Sequence, residues 1–140
     1  MPIRKASARW EGDLPTGSGT IHTGLGDGSY TFKSRFEEGP GTNPEELIAA
    51  AHSGCFSMAF SNKLALAGFT PTSVETTANV HLEKTDAGMT VTRIHLVTDA
   101  VVPGIEKDEF DKIAEDAKAT CPISRLLSPG AEITLDATLA

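Results

Sequence analysis

From Leu47 to Asn62 the chain carries no charged side chain, and its apolar residues fall on two adjoining helical stripes. Leu47, Ala51, Cys55, Met58 and Ala59 form one stripe; Ile48, His52, Phe56 and Phe60 form the other. The start is marked by Asn43 as N-cap, Pro44 at the first helical position and Glu46 three residues after the cap, where it can complete a capping box. Gly68 and then Pro71 mark the stop. The spacing predicts a helix of about 24 residues, about 36 Å long at 1.5 Å per residue. A helix apolar around most of its circumference is buried on most sides. A short chain hardly supplies that cover alone, so a partner subunit is expected.

The pattern elsewhere predicts strands and a second helix. Lys5–Glu11 alternates loosely and reads as a strand, followed by turn residues from Gly12 to Gly17. Ser18–Thr23 is a second strand, Gly24 to Gly28 a hairpin connection, and Ser29–Phe36 a third strand. In that strand Tyr30, Phe32, Ser34 and Phe36 share one face, and Thr31, Lys33 and Arg35 the other. After Gly68, Ser73–Lys84 and Met89–Val102 form a strand pair around the turn Asp86-Ala87-Gly88. Lys107–Thr120 has helical periodicity through Phe110, Ile113, Ala114 and Ala117. Cys121-Pro122 interrupts it and opens a short turn to Leu127; Ser128-Pro129-Gly130 turns again, and Glu132–Leu139 is the last strand. The expected order is βββ-α-ββ-α-β, an α+β fold with strands in antiparallel groups, in a single domain spanning residues 1–140.

Composition narrows the function classes. The net charge is −7 and the pI about 5.0, which argues against nucleic acid or an anionic membrane as partner. No apolar run is long enough to span a bilayer, and Met1 to Ala6 leads into no signal core, so a cytoplasmic protein is expected. There are two cysteines. In the cytosol they are candidates for a redox pair, a metal pair or two unrelated buried thiols.

Both cysteines hold special places. Cys55 is at the middle of the apolar helix, and Cys121 caps a short turn, where free N–H groups stabilise a thiolate. A reactive thiol also needs a cation nearby, and Arg35 is the candidate, although a lone arginine at a strand end also reads as a solvated charge. Glu45 suits the helix start through the dipole and can also hold Arg35 by a bidentate pair. Glu45 and Cys55 are ten residues apart, about 15 Å along a straight helix. If Arg35 and Glu45 serve a cysteine, it can therefore belong to another subunit. His52 lies at i−3 from Cys55, so a thiol-hydrolase pair is conceivable, though a satisfied core histidine is the commoner case. Zinc held by Cys55, Cys121 and His52 lacks the CxxC or HxxxH spacing.

Thr42 to Ala59, with its Asn-Pro-Glu-Glu-Leu and Ala-Ala-His wording, closely resembles the signature helix of the OsmC/Ohr family, on the OsmC branch. Trp10-Glu11-Gly12-Asp13, Arg35-Phe36-Glu37, Phe69 to Ser73, Val102 to Ile105 and Cys121-Pro122-Ile123-Ser124 match in order. The resemblance implies an OsmC-like fold in an intertwined homodimer with active sites at the subunit interface. It implies a thiol-dependent peroxidase of stress defence that prefers organic hydroperoxides to hydrogen peroxide. By position, Cys55 matches the peroxidatic cysteine, Cys121 the resolving one, Arg35 the activating arginine and Glu45 the glutamate that orients it. No metal or bound cofactor is implied; an external, lipoyl-type dithiol would reduce the enzyme. Phe36, Phe56, Met58 and Leu126 are expected to supply an apolar substrate pocket. The rival class is a non-catalytic dimer that binds a hydrophobic ligand.

Overall fold

The computed structural model describes residues 1–140. In order, the elements are β1 (Ser7–Glu11), β2 (Ser18–Thr23), β3 (Gly26–Tyr30), α1 (Phe32–Phe36), α2 (Pro44–Leu66), β4 (Ser73–Thr85), β5 (Gly88–Val101), α3 (Lys107–Thr120), α4 (Pro122–Leu127) and β6 (Glu132–Leu139). The chain divides into two compact units, Met1–Leu47 and Ile48–Ala140.

In the first unit, β1, β2 and β3 form an antiparallel meander. Gly19 pairs with Trp10 on one side and Tyr30 on the other, and the two rings meet with centroids 5.2 Å apart. A Cβ at Gly19 would collide with both rings, so the bare position lets them close over the strand.

The stretch expected as a third strand, Ser29–Phe36, is two elements. The strand starts earlier, at Gly26, joined to β2 by the two-residue turn Gly24-Leu25, and it ends at Tyr30. Phe32–Phe36 is the short helix α1. Its cause is a capping box: Thr31 Oγ1 accepts from the Ser34 N–H at 3.1 Å, and Ser34 Oγ accepts from the Thr31 N–H at 2.8 Å. Phe32 and Phe36 stay on one side as an i, i+4 pair, with ring centroids 4.9 Å apart. Arg35 therefore sits in the last turn of a helix, not on the second face of a strand.

The start of α2 follows the expected cap, with Asn43 Oδ1 accepting from the Glu46 N–H at 2.7 Å. The Glu46 carboxylate does not return to the cap; it accepts from Thr42 Oγ1 at 3.0 Å. Asn43 Nδ2 donates to the Ser34 carbonyl at 2.9 Å, and Ser34 Oγ donates to the Thr42 carbonyl at 2.8 Å. These two bonds fix α1 against the first turn of α2.

In the second unit the sheet order is β4-β5-β6. β5 runs antiparallel to β4 but parallel to β6, so this sheet is mixed where antiparallel pairing was expected. The chain between β5 and β6 passes through α3 and α4, a crossover long enough to bring β6 back in the same direction. The core joins Phe56, Phe60 and Leu64 of α2, Ile94, Leu96 and Ala100 of β5, and Phe110, Ala114 and Ala117 of α3. The His52, Phe56 and Phe60 stripe of α2 is thus the one turned inward, whereas Ala51, Met58 and Leu66 on the other side are exposed. The helix stops at Gly68, whose φ of 96° is costly for any residue with a Cβ, and the Phe69 N–H then donates back to the Leu64 carbonyl at 2.9 Å. No helix is long and apolar enough to cross a membrane.

Phe60 links the layers: its ring lies 5.6 Å from Phe56 and 5.3 Å from Phe110. Phe60→Ala is expected to destabilise the protein by about 3–5 kcal/mol through lost burial and a cavity. Urea unfolding should show a lower midpoint with an unchanged slope.

Candidate active site

The first unit supplies an anchored guanidinium. Arg35 Nη2 donates to Glu45 Oε1 at 2.8 Å, and its Nε lies 3.3 Å from each carboxylate oxygen. Glu45 is nearly buried, so the pair is held more firmly than an exposed one. The α1 capping box and the Asn43–Ser34 bond set the two side chains face to face. The Arg35 head also stands 5.2 Å from the Phe36 ring centroid. Arg35 and Phe36, with Trp10, Leu14, Tyr30, Thr31 and Phe32, line an aromatic pocket of about 240 Å³.

The second unit supplies the sulfurs. Neither cysteine is in a disulfide; Cys55 is half-buried and Cys121 buried. They come from elements far apart in sequence, yet Cys121 acts directly on the Cys55 thiol, which makes the two side chains neighbours. Burial pushes the Cys55 thiol above its usual range, a hydrogen bond from the Ile123 N–H pulls it down, and the Cys121 side chain pushes it up again. Cys121 both ends α3 and caps α4, and its sulfur accepts from the Ser124 N–H at 3.4 Å. Pro122 at the first helical position of α4 enforces the break.

His52 is fully buried one turn before Cys55. Its Nε2 is 2.7 Å from Ser124 Oγ, and its Nδ1 has no partner, so the ring is hydrogen-bonded to neither sulfur. The hydrolase-type Cys55–His52 pair is therefore not formed. Burial lowers the His52 pKa and keeps the imidazole neutral. No three His, Cys, Asp or Glu side chains are grouped to hold a metal ion.

The four residues expected to line a substrate pocket are placed differently from one another. Phe36 lines the aromatic pocket of the first unit. Phe56 has no exposed surface and packs in the core. Met58 is 77% exposed on the rim of an open groove formed with Ser61, Asn62 and Pro71, and Leu126 is 70% exposed. Two participants were not singled out from the sequence, the Ile123 N–H and Ser124. Ser124 was visible only as the last residue of the Cys121-Pro122-Ile123-Ser124 motif, three residues after the capping Cys121.

Two free thiols placed as neighbours, one on a long apolar helix and one at a helix break, make this a dithiol site on an α+β scaffold. The OsmC-like protein family model matches residues 37–136. The chain is 54% identical over 136 residues to Peroxiredoxin OsmC of Escherichia coli (strain K12), covering 95% of this chain and 94% of that protein. It is 30% identical over 95 residues to the organic hydroperoxide resistance protein OhrA of Bacillus subtilis, covering 68% and 66%. Among solved structures, an organic hydroperoxide resistance protein OsmC from Legionella pneumophila superposes with a TM-score of 0.72 at 22% identity, over 99% of this chain and 100% of that one. An OsmC-like protein from Mycoplasma pneumoniae superposes at 0.74 with 16% identity, over 99% and 98%. The chain belongs to the OsmC/Ohr family.

Proposed function

We propose that the protein is a thiol-dependent peroxidase that reduces organic hydroperoxides to alcohols, and hydrogen peroxide more weakly, in stress defence. It is an enzyme with a peroxide-related redox function, as the names of its relatives support. The observation that carries the reading is the pair of free, neighbouring sulfurs of Cys55 and Cys121.

The Cys55 thiolate attacks one peroxide oxygen; the O–O bond breaks and the alkoxide leaves with a proton as alcohol. Cys55 is left as a sulfenic acid. Cys121 then displaces the oxygen as water and forms the Cys55–Cys121 disulfide. An external dithiol, lipoyl-type by family likeness, reduces the disulfide by two exchange steps. The chemistry uses sulfur alone, with no bound cofactor.

Burial raises the Cys55 thiol, so a cation must offset it for the thiolate to form at neutral pH. Arg35, locked by Glu45, is that cation in this reading. Along one helix, Glu45 and Cys55 are about 15 Å apart. A homodimer in which one protomer's Arg35 serves its partner's Cys55 meets the requirement, and the exposed Met58 side of α2 offers a surface for it. The family-model match crosses the boundary between the two units, which supports reading residues 1–140 as one OsmC-like domain. A cytosolic setting suits the reading, because both thiols stay reduced there.

Steady-state consumption of tert-butyl hydroperoxide with dihydrolipoamide tests the function: turnover is expected, and its absence overturns the reading. Arg35→Ala should lower the rate of Cys55 oxidation at neutral pH about tenfold or more, one pKa unit of lost thiolate being a factor of ten. Raising the pH should restore the rate, which a simple loss of packing would not allow.

A further inference from the structure

Ser124 stands between two groups that the mechanism above uses unequally. It is buried, at 2% exposure. The Cys121 S–H donates to Ser124 Oγ at 3.4 Å, and the same oxygen lies 2.7 Å from His52 Nε2. His52 is wholly buried and its Nδ1 has no hydrogen-bond partner. A histidine kept only for packing is expected to pair both nitrogens. Here Nδ1 has no partner within the chain, while Nε2 is aimed, through one hydroxyl, at the second thiol.

We propose that Cys121, Ser124 and His52 form a proton relay, in which His52 draws the Cys121 proton through Ser124 as Cys121 attacks the oxidised Cys55. The proposal rests on the peroxidase reading and adds to it the base for the resolving step. The electron pair of the Cys121 S–H bond becomes the S–S bond. The S–O bond of the sulfenic acid breaks, and its pair leaves on oxygen. The Cys55 sulfur is thereby reduced and the Cys121 sulfur oxidised. Ser124 takes the thiol proton and hands its own to Nε2, while Nδ1 carries the ring's existing hydrogen. The imidazolium then releases one proton and the departing oxygen takes one, so the products are the disulfide and one water. Burial keeps the imidazole neutral beforehand, and so able to accept.

The test separates the two oxidation steps. The full-length protein is mixed with one equivalent of tert-butyl hydroperoxide, quenched at intervals with a sulfenic-acid trap and a thiol-alkylating agent, and weighed by mass spectrometry across the neutral pH range. His52→Gln retains a partner for Ser124 but no base; Ser124→Ala cuts the relay and leaves the imidazole. In both, the sulfenic acid should appear at the wild-type rate, and its conversion to disulfide should slow about 10²-fold. The double variant should be no slower than either single one. In the variants the conversion should climb with pH more steeply than in the wild type, as hydroxide in solvent replaces the missing base. Conversion at the wild-type rate in both variants overturns the relay, as does equal slowing of both steps, which would mark a packing role. A wild-type protein that forms neither sulfenic acid nor disulfide overturns the peroxidase reading itself, a result distinct from either.

Discussion

Cys55→Ser is expected to reduce hydroperoxide consumption to the background reaction of peroxide with dithiol. A serine hydroxyl does not ionise near neutral pH, so the Ile123 N–H would have no thiolate to stabilise and the peroxide no nucleophile. The loss should not be a folding defect. Cys55 is half-buried, flanks the core rather than filling it, and differs from serine by a single atom. Circular dichroism and the urea midpoint should stay close to wild type while activity, followed as peroxide loss, disappears.

Cys121→Ser should have an effect of comparable size but a different shape. Cys55 remains able to react, so the first equivalent of hydroperoxide should be consumed at nearly the wild-type rate. The cycle should then stop, because no second sulfur displaces the oxygen. Mass spectrometry should show a gain of about 16 Da for the sulfenic acid, rising to about 32 Da with excess peroxide as sulfinic acid forms. The serine replacing Cys121 remains next to Ser124 and can still cap α4, so the short helix should persist. A burst without turnover thus assigns the two sulfurs separate roles, whereas continued turnover would make Cys121 dispensable.

The parts of the fold that the sequence made legible are those with strong local signals. The bounds of α2 follow from Asn43, Pro44 and Gly68, residues whose backbone chemistry marks helix ends wherever they occur. The break at Cys121 follows from Pro122 in the same way. The segment after Tyr30 was misread because five residues can alternate by chance, and the Thr31–Ser34 cap that turns them into α1 is a weak signal at that length. The parallel pairing of β6 was not legible, since strand direction is set by the path of α3 and α4 and not by anything within Glu132–Leu139. An unbroken apolar run likewise does not say which stripe of α2 faces the core. Phe56 lies on the buried stripe and Met58 on the exposed one. The Arg35–Glu45 pair was anticipated from helix-start electrostatics and from family likeness, and the bond is formed. The His52–Ser124 bond joins residues 72 positions apart and leaves no local trace.

The most direct measurement is the mass of the intact wild-type protein after one equivalent of organic hydroperoxide, followed by peptide mapping without reductant. A two-thiol peroxidase should lose about 2 Da as both thiol hydrogens depart, and the map should show one new cross-link, between the peptides holding Cys55 and Cys121. An unchanged mass, or a stable oxygen adduct on Cys55 with Cys121 still free, would contradict it.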